Sequence, residues 1–255
     1  MKQQWQIFLV ALAFFTRIPI PDNIPYSSER LNQANRYFAL VGTLIGVLTA
    51  LLFLLMQSVL PISIAIAISM AFSLLLTGAF HEDGLADVFD GFGGGWNPEQ
   101  KLDIMKDSRL GTYGASALFI ALGLKWATLS AIASHSVTLT ALSLVAMHTL
   151  SRAVAASLIF SYPYVRLDEQ SKVKPLANEQ SQYDLWVLIL TSLIILLLFS
   201  LNTALCLMVV LAIVRTGCGR WFNKQLGGYT GDCLGAAQQL SEIAGYLIIL
   251  ATVTS

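Results

Sequence analysis

The chain has 255 residues, 56 % of them hydrophobic and 12 % charged, with 15 basic residues balancing 15 acidic ones. Soluble domains carry about 25 % charged residues, so a water-soluble globule is excluded, and a formal charge of zero gives no reason to expect nucleic acid. Cys206, Cys218 and Cys233 form no C-x-x-C pair and leave at least one thiol over, which argues against a disulfide frame or a zinc site.

In chain order, Lys2 and the apolar run Ile7–Phe15 imitate a secretion signal, but Thr16-Arg17-Ile18-Pro19 follows where a small-x-small cleavage site would stand. The run is expected to stay in the mature chain as an interfacial or re-entrant helix, because spanning takes about 20 apolar residues. Seven spans follow: about Tyr37–Val59, Pro61–Phe80, Gly114–Ala133, Val137–Phe160, Leu185–Leu201, Thr203–Val214 and Leu234–Thr252. The expected fold is all-α, a polytopic transmembrane bundle forming one membrane domain over residues 1–255. Polar segments 81–113 and 215–233 would carry its chemistry.

Charge orients the bundle. Connections Gln57–Pro61, Ser134–Val137 and Ser200–Thr203 carry none. Residues 1–36, 81–113, 161–184 and 215–233 hold Lys2, Arg17, Arg30, Arg36, Lys101, Lys106, Arg109, Arg166, Lys172, Lys174, Arg215, Arg220 and Lys224. Seven spans put these four segments on one side, and the positive-inside rule makes that side cytoplasmic.

Seven of the 15 acids fall between Glu82 and Asp107. On a helix, Asp83, Asp87 and Asp90 share a face, and Asp103 and Asp107 are again one turn apart. Like charges at that spacing repel unless a cation lies between them. Oxygen ligands with no Cys and one neighbouring His, His81, suit Mg²⁺ or Mn²⁺, and such ions neutralise phosphate charge during displacement. Gly93-Gly94-Gly95 would let backbone approach a ligand, and Lys106 and Arg109 suit phosphate oxygens. The alternative for this segment is a solvated acidic loop.

The stretch GCGRWFNKQLGGYTGDCLGA, Gly217–Ala236, adds Arg220, Lys224 and Asp232 to five glycines from Gly217 to Gly231, with Trp221 and Tyr229 suited to a flat ring. Its alternative is a glycine-rich turn between spans. Within spans, Arg152 and His148 share a helix face, and Arg152 could reach a phosphate or an aspartate. Lys125 is expected to snorkel; His135 and His148 are read as structural.

GAFHEDGLADVFDGFGGG at 78–95, KLDIMKDSRLGTYG at 101–114 and GGYTGDCLGA at 227–236 resemble the signatures of the cobalamin synthase family, the adenosylcobinamide-GDP ribazoletransferases. FFTRIPIP at 14–21 matches as well, so the resemblance covers essentially the whole chain. It implies a Mg²⁺-dependent enzyme of the prokaryotic inner membrane, with membrane lipid around it and its active site towards the cytoplasm. The reaction implied joins adenosylcobinamide-GDP to α-ribazole or its 5′-phosphate, releasing GMP and giving adenosylcobalamin or its 5′-phosphate. Homo-oligomers or association with other corrin-pathway enzymes stay open. Asp83, Asp87, Asp90 and Asp107 match the family motif and are expected to hold metal, whereas Glu82 sits at a variable position. Asp107 and Arg109 would act at the reacting phosphate, with Asp107 as the alternative proton acceptor. Lys106, Arg152, Arg220, Lys224 and Asp232 would hold substrate. The pattern D-x-x-D-G … D-x-x-x-D also resembles CDP-alcohol phosphotransferases, although Gly94-Gly95 stands where that motif has Ala-Arg. A lipid enzyme of that kind and a cation-coupled transporter are the competing readings.

Overall fold

A computed structural model describes residues 2–165 and 180–254. Arg166, Lys172 and Lys174 of the polar connection therefore lie outside the described residues. The helices are α1 Lys2–Phe15, α2 Ser28–Ala34, α3 Phe38–Met56, α4 Ile62–Thr77, α5 Phe80–Gly94 and α6 Pro98–Ile104, followed by α7 Thr112–His135, α8 Val137–Leu158, α9 Gln182–Leu196, α10 Leu201–Leu226 and α11 Gly231–Thr254. Among the described residues the only extended pairing is an isolated bridge between Tyr164 and Tyr229.

The polarity is inside-out relative to a soluble bundle. Leu51, Leu55, Phe119, Leu190, Leu197 and Val209 stand exposed on the outer helix faces, while Lys125, Arg152, Gln238, Gln239 and Glu242 are buried. Lipid tails solvate the first set as well as a core would, whereas the second set needs partners inside. Among the described residues five helices are long and apolar enough to cross a membrane, and α4 with α5 makes a sixth if the bent pair counts as one. Each of the seven expected spans falls on a helix, but α9, at 15 residues, is shorter than a span. The sixth expected span stops at Val214, whereas α10 runs on to Leu226. The reason is packing: Gly219 takes the Tyr162 ring against the helix, and Phe222 is buried in the core.

Helices α3 and α8 pack through small residues. A Cβ at Gly46 would stand 2.7 Å from the Cα of Val145, and one at Gly42 would overlap the His148 carbonyl. This G-x-x-x-G spacing lets two backbones approach, which matters where no hydrophobic drive separates helix from lipid. α1 lays Ile7, Val10, Ala11 and Phe15 against the α2–α3 region, with Phe15 stacked 4.0 Å from Phe38.

The polar connections meet at one end of the bundle. Lys101 Nζ donates to Gln225 Oε1, Arg215 Nε donates to Ser157 Oγ at 2.8 Å, and Tyr229 N donates to the Pro163 carbonyl at 2.9 Å. Arg36 pairs with Asp184, both nearly buried, and ties the turn before α3 to the start of α9. The expected clustering of the ionic segments is thus seen in these cross-ties.

Candidate active site

The acidic stretch is a helix, α5, set off from α4 by a bend of 86°. Two successive left-handed residues make the bend, Gly78 at φ 66° and Ala79 at φ 55°. Alanine in that region is strained, and Arg17 supports the corner from outside: its N–H donates to the Leu76 carbonyl at 2.7 Å and its guanidinium lies against Gly78. Glu82 and Asp83 occupy the first turn of α5, where the helix dipole favours anions.

The four carboxylates of α5 then separate. Asp83 is exposed and Asp87 half-buried, one turn apart on the same side. Asp90 is turned towards α7, where its two oxygens accept the N–H groups of Gly111 and Gly114 at 2.7 and 2.9 Å. It caps a helix that has no local side-chain cap. Gly111 and Gly114 are glycines because any Cβ there would meet the Asp90 carboxylate. Glu82 points into the bundle, where Gln239 Nε2 donates to its Oε1 at 2.7 Å and Lys125 Nζ lies 3.8 Å away.

Asp107 lies in the turn between α6 and α7 and is taken up by Arg109, whose Nε donates to both carboxylate oxygens at 3.0 Å and whose backbone N–H donates at 3.1 Å. These bonds hold the Asp107 carboxyl down at about 2, far below the near-neutral value that suits a general base. The same contact raises the Arg109 guanidinium, whose side chain is 87 % exposed. Asp103 and Lys106 are exposed on α6 and just after it. The structure does not bring Asp83, Asp87, Asp90 and Asp107 into one sphere: among the described residues no group of three or more His, Cys, Asp or Glu is gathered for a metal. Asp90 is drawn to the α7 amides and Asp107 to Arg109 instead.

The glycines expected to cradle a ligand pack against the protein itself. Gly93 lies under the Tyr113 ring, Gly94 beside Ile104 and Gly95 against the Lys101 backbone, while neighbouring Gly91 lies against Met105 and the Lys101 carbonyl. They allow α5, α6 and the start of α7 to lie close together. Trp221 meets Phe89 and Phe92 edge-on at 5.8 and 5.0 Å, and Tyr229 is 3 % exposed beside Tyr164. Both expected ring platforms are therefore occupied by core packing. The Trp221 contact sets the end of α10 beside α5, which places exposed Arg220 and Lys224 at the end of the bundle that carries the acidic helix. Asp232, in the first turn of α11, has its backbone against Gly84: a Cβ there would stand 2.9 Å from the Asp232 carbonyl oxygen.

Arg152 does not join this surface. It is 1 % exposed, its Nη1 donates to the His148 carbonyl at 2.8 Å, and its guanidinium carbon lies 5.8 Å from the centre of Phe38. Lys125 does not snorkel: it is 5 % exposed in the middle of α7, 3.2 Å from Glu242. Glu242, Gln238 and Gln239 of α11 escaped the sequence reading. Their signal was a carboxylate and two amides spaced three and four apart inside an apolar span, where polar groups need partners.

The family described as cobalamin-5-phosphate synthase matches residues 7–250. The chain is 55 % identical to the adenosylcobinamide-GDP ribazoletransferase of Shewanella piezotolerans, over 98 % of this chain and 96 % of the relative. It is 55 % identical to that of Shewanella frigidimarina, over 98 % and 95 %, and 53 % identical to that of Shewanella pealeana, over 98 % and 96 %. No solved structure matches the chain. An all-α membrane bundle with an acidic helix at its ionic end, matched over nearly its full length, belongs to the cobalamin-5-phosphate synthase family.

Proposed function

We propose that the chain transfers the adenosylcobinamide-phosphate portion of adenosylcobinamide-GDP to α-ribazole or its 5′-phosphate, as the names of its relatives indicate; the nucleophile is a ribose hydroxyl other than the 5′ one, because a 5′-phosphate on the substrate survives in the product. A new P–O bond forms to the phosphorus that carries the corrinoid, the diphosphate bridge breaks, GMP leaves, and the hydroxyl proton goes to solvent or to a neighbouring base. The observation that carries this reading is the pairing of Asp83 and Asp87, on successive turns of α5, with exposed Arg109, Arg220 and Lys224 at one end of the bundle.

Phosphoryl transfer needs positioning and charge neutralisation more than covalent help from protein. Arg109 supplies a planar fork suited to two phosphate oxygens. It rests on Asp107, and a diphosphate would take over that contact. Asp107 then orients Arg109 and, ionised down to about 2, does not collect the nucleophile's proton. Lys106, Arg220 and Lys224 add positive potential, and Asp232 can accept a hydroxyl or amide hydrogen of the substrate.

Mg²⁺ fits in a restricted way. It binds through one or two carboxylates plus water and phosphate oxygens rather than in a protein cage, and Asp83 with Asp87 supplies such a pair. When bound there it would neutralise the diphosphate. The Lys and Arg asymmetry supports an inner-membrane enzyme whose ionic end faces the cytoplasm. The test is purified protein in detergent given adenosylcobinamide-GDP with and without α-ribazole. GMP released only with α-ribazole, one for each cobalamin formed, supports the reading; hydrolysis independent of α-ribazole, or no GMP, overturns it.

A further inference from the structure

Between the apolar faces of α5, α7, α8 and α11 lies a buried polar cluster that the reaction above does not use. Lys125 Nζ stands 3.2 Å from Glu242 and 3.8 Å from Glu82. Gln238 Nε2 donates to Glu242 Oε2 at 2.6 Å and to Ser151 Oγ at 2.8 Å, and Gln239 Nε2 donates to Gln238 Oε1 and Glu82 Oε1, both at 2.7 Å. Glu82 Oε2 is buried without a hydrogen-bond partner. A water-sized cavity of about 10 Å³ borders Glu82, Lys125, His148, Glu242 and Tyr246.

Burying two carboxylates and an ammonium costs solvation that their mutual attraction only partly returns, and apolar residues of the same volume would serve stability as well. The cluster therefore calls for a reason beyond stability, and its placement supplies one. α5 hangs from α4 by the left-handed pair Gly78–Ala79. It meets α11 through Gly84 and Gly235, and through apolar contacts of Leu85 and Val88. Such contacts are not directional and leave a helix able to slide or roll by a fraction of a turn. The directional bonds of α5 include those of Asp90 to the amides of α7 near one end and of Glu82 to Gln239 and Lys125 near the other. Asp83 and Asp87 lie between them.

We propose that Lys125, held by Glu242, is a positioning residue: through Glu82 it fixes the depth and rotation of α5, and so the place at which Asp83 and Asp87 meet the diphosphate. The inference rests on the proposed reaction for its kinetic consequence but not for its structural one. Glu82, although it lies in the acidic motif, is an anchor and not a ligand of substrate or metal.

The experiment compares full-length wild type, Lys125→Met, Lys125→Arg and Glu82→Gln in detergent, by backbone hydrogen exchange and by turnover at a temperature where each is folded. Glu82→Gln keeps the shape and an oxygen for Gln239, so it reads the charge alone if Lys125→Met fails to fold. Exchange over 80–94 is expected to speed up about tenfold in Lys125→Met and Glu82→Gln, with α3 and α8 unchanged. kcat should fall by roughly 10–100-fold with KM within about threefold, and Lys125→Arg should restore most of both. Equal acceleration in all helices, or wild-type exchange over 80–94 together with wild-type kcat, overturns the inference. A wild type that releases no GMP would sink the proposed reaction while the exchange pattern still judges the anchor.

Discussion

Replacing Asp90 by alanine separates an anchoring carboxylate from a substrate ligand. Asp90 accepts two amide hydrogens at the start of α7, from Gly111 and Gly114. Hydrogen bonds to a charged group contribute about 1.5–3 kcal/mol each, and a carboxylate at a helix N-terminus adds about 0.3–1 kcal/mol through the dipole. The two bonds share one carboxylate and Gly111 lies near the protein surface, so their sum is not additive; a total of about 2–4 kcal/mol is expected. The assay is thermal unfolding in detergent, followed by circular dichroism and by loss of binding of a GDP-bearing ligand. For a chain of this length each kcal/mol moves the midpoint by about 2–4 °C, so Asp90→Ala should melt about 5–15 °C lower. Asp90→Asn keeps one accepting oxygen and should lose about half as much. An Asp90→Ala protein that melts with the wild type yet is inactive would refute the anchoring argument and return Asp90 to the ligand set.

Other substitutions test separate links. Gly42→Ala drives a Cβ into the His148 carbonyl at the α3–α8 crossing, and should cost about 1–3 kcal/mol as overpacking, read as a lower melting midpoint. Arg109→Ala should let the Asp107 carboxyl rise from about 2 towards its ordinary 3.8, measured by carboxyl-carbon NMR titration. Because the folded value is depressed, the ion pair is complete above pH 4 and fades only as pH falls through about 2, so Asp107 should add no limb to the activity profile between pH 5 and 9. The same variant should lose kcat/KM roughly 10–100-fold, the size of one lost charge-assisted contact to a phosphate. Chelation by EDTA should abolish turnover and added Mg²⁺ restore it, and retained turnover in EDTA would remove the metal from the reaction.

Span positions were legible because lipid demands long apolar runs, and the loop charges gave the common ionic end that Lys101–Gln225 and Arg215–Ser157 display. Four things were not legible. The bent α4–α5 pair depends on backbone geometry at Gly78 and Ala79 that hydropathy does not report. The roles within HEDGLADVFDG depend on which neighbour each carboxylate meets: helical spacing groups Asp83, Asp87 and Asp90, while Gly111 and Gly114, more than twenty residues on, draw Asp90 away. Gly93-Gly94-Gly95 looked like room for a ligand because a sequence shows a missing Cβ and not what fills its place; Tyr113, Ile104 and Lys101 fill it here. Lys125 and Glu242 were each an isolated charge in a span, and only the fold makes them a pair at 3.2 Å.

The division of labour along α5 is tested most directly by counting bound Mn²⁺ by electron paramagnetic resonance in the presence of adenosylcobinamide-GDP, for wild type and for the Asn or Gln variant at positions 82, 83, 87 and 90. Asp83→Asn and Asp87→Asn should lose the ion at concentrations that saturate the wild type. Glu82→Gln and Asp90→Asn should still bind it, with affinity lowered by no more than about tenfold. Loss at Glu82 or Asp90 as complete as at Asp87, or full retention in Asp83→Asn and Asp87→Asn, would contradict the account.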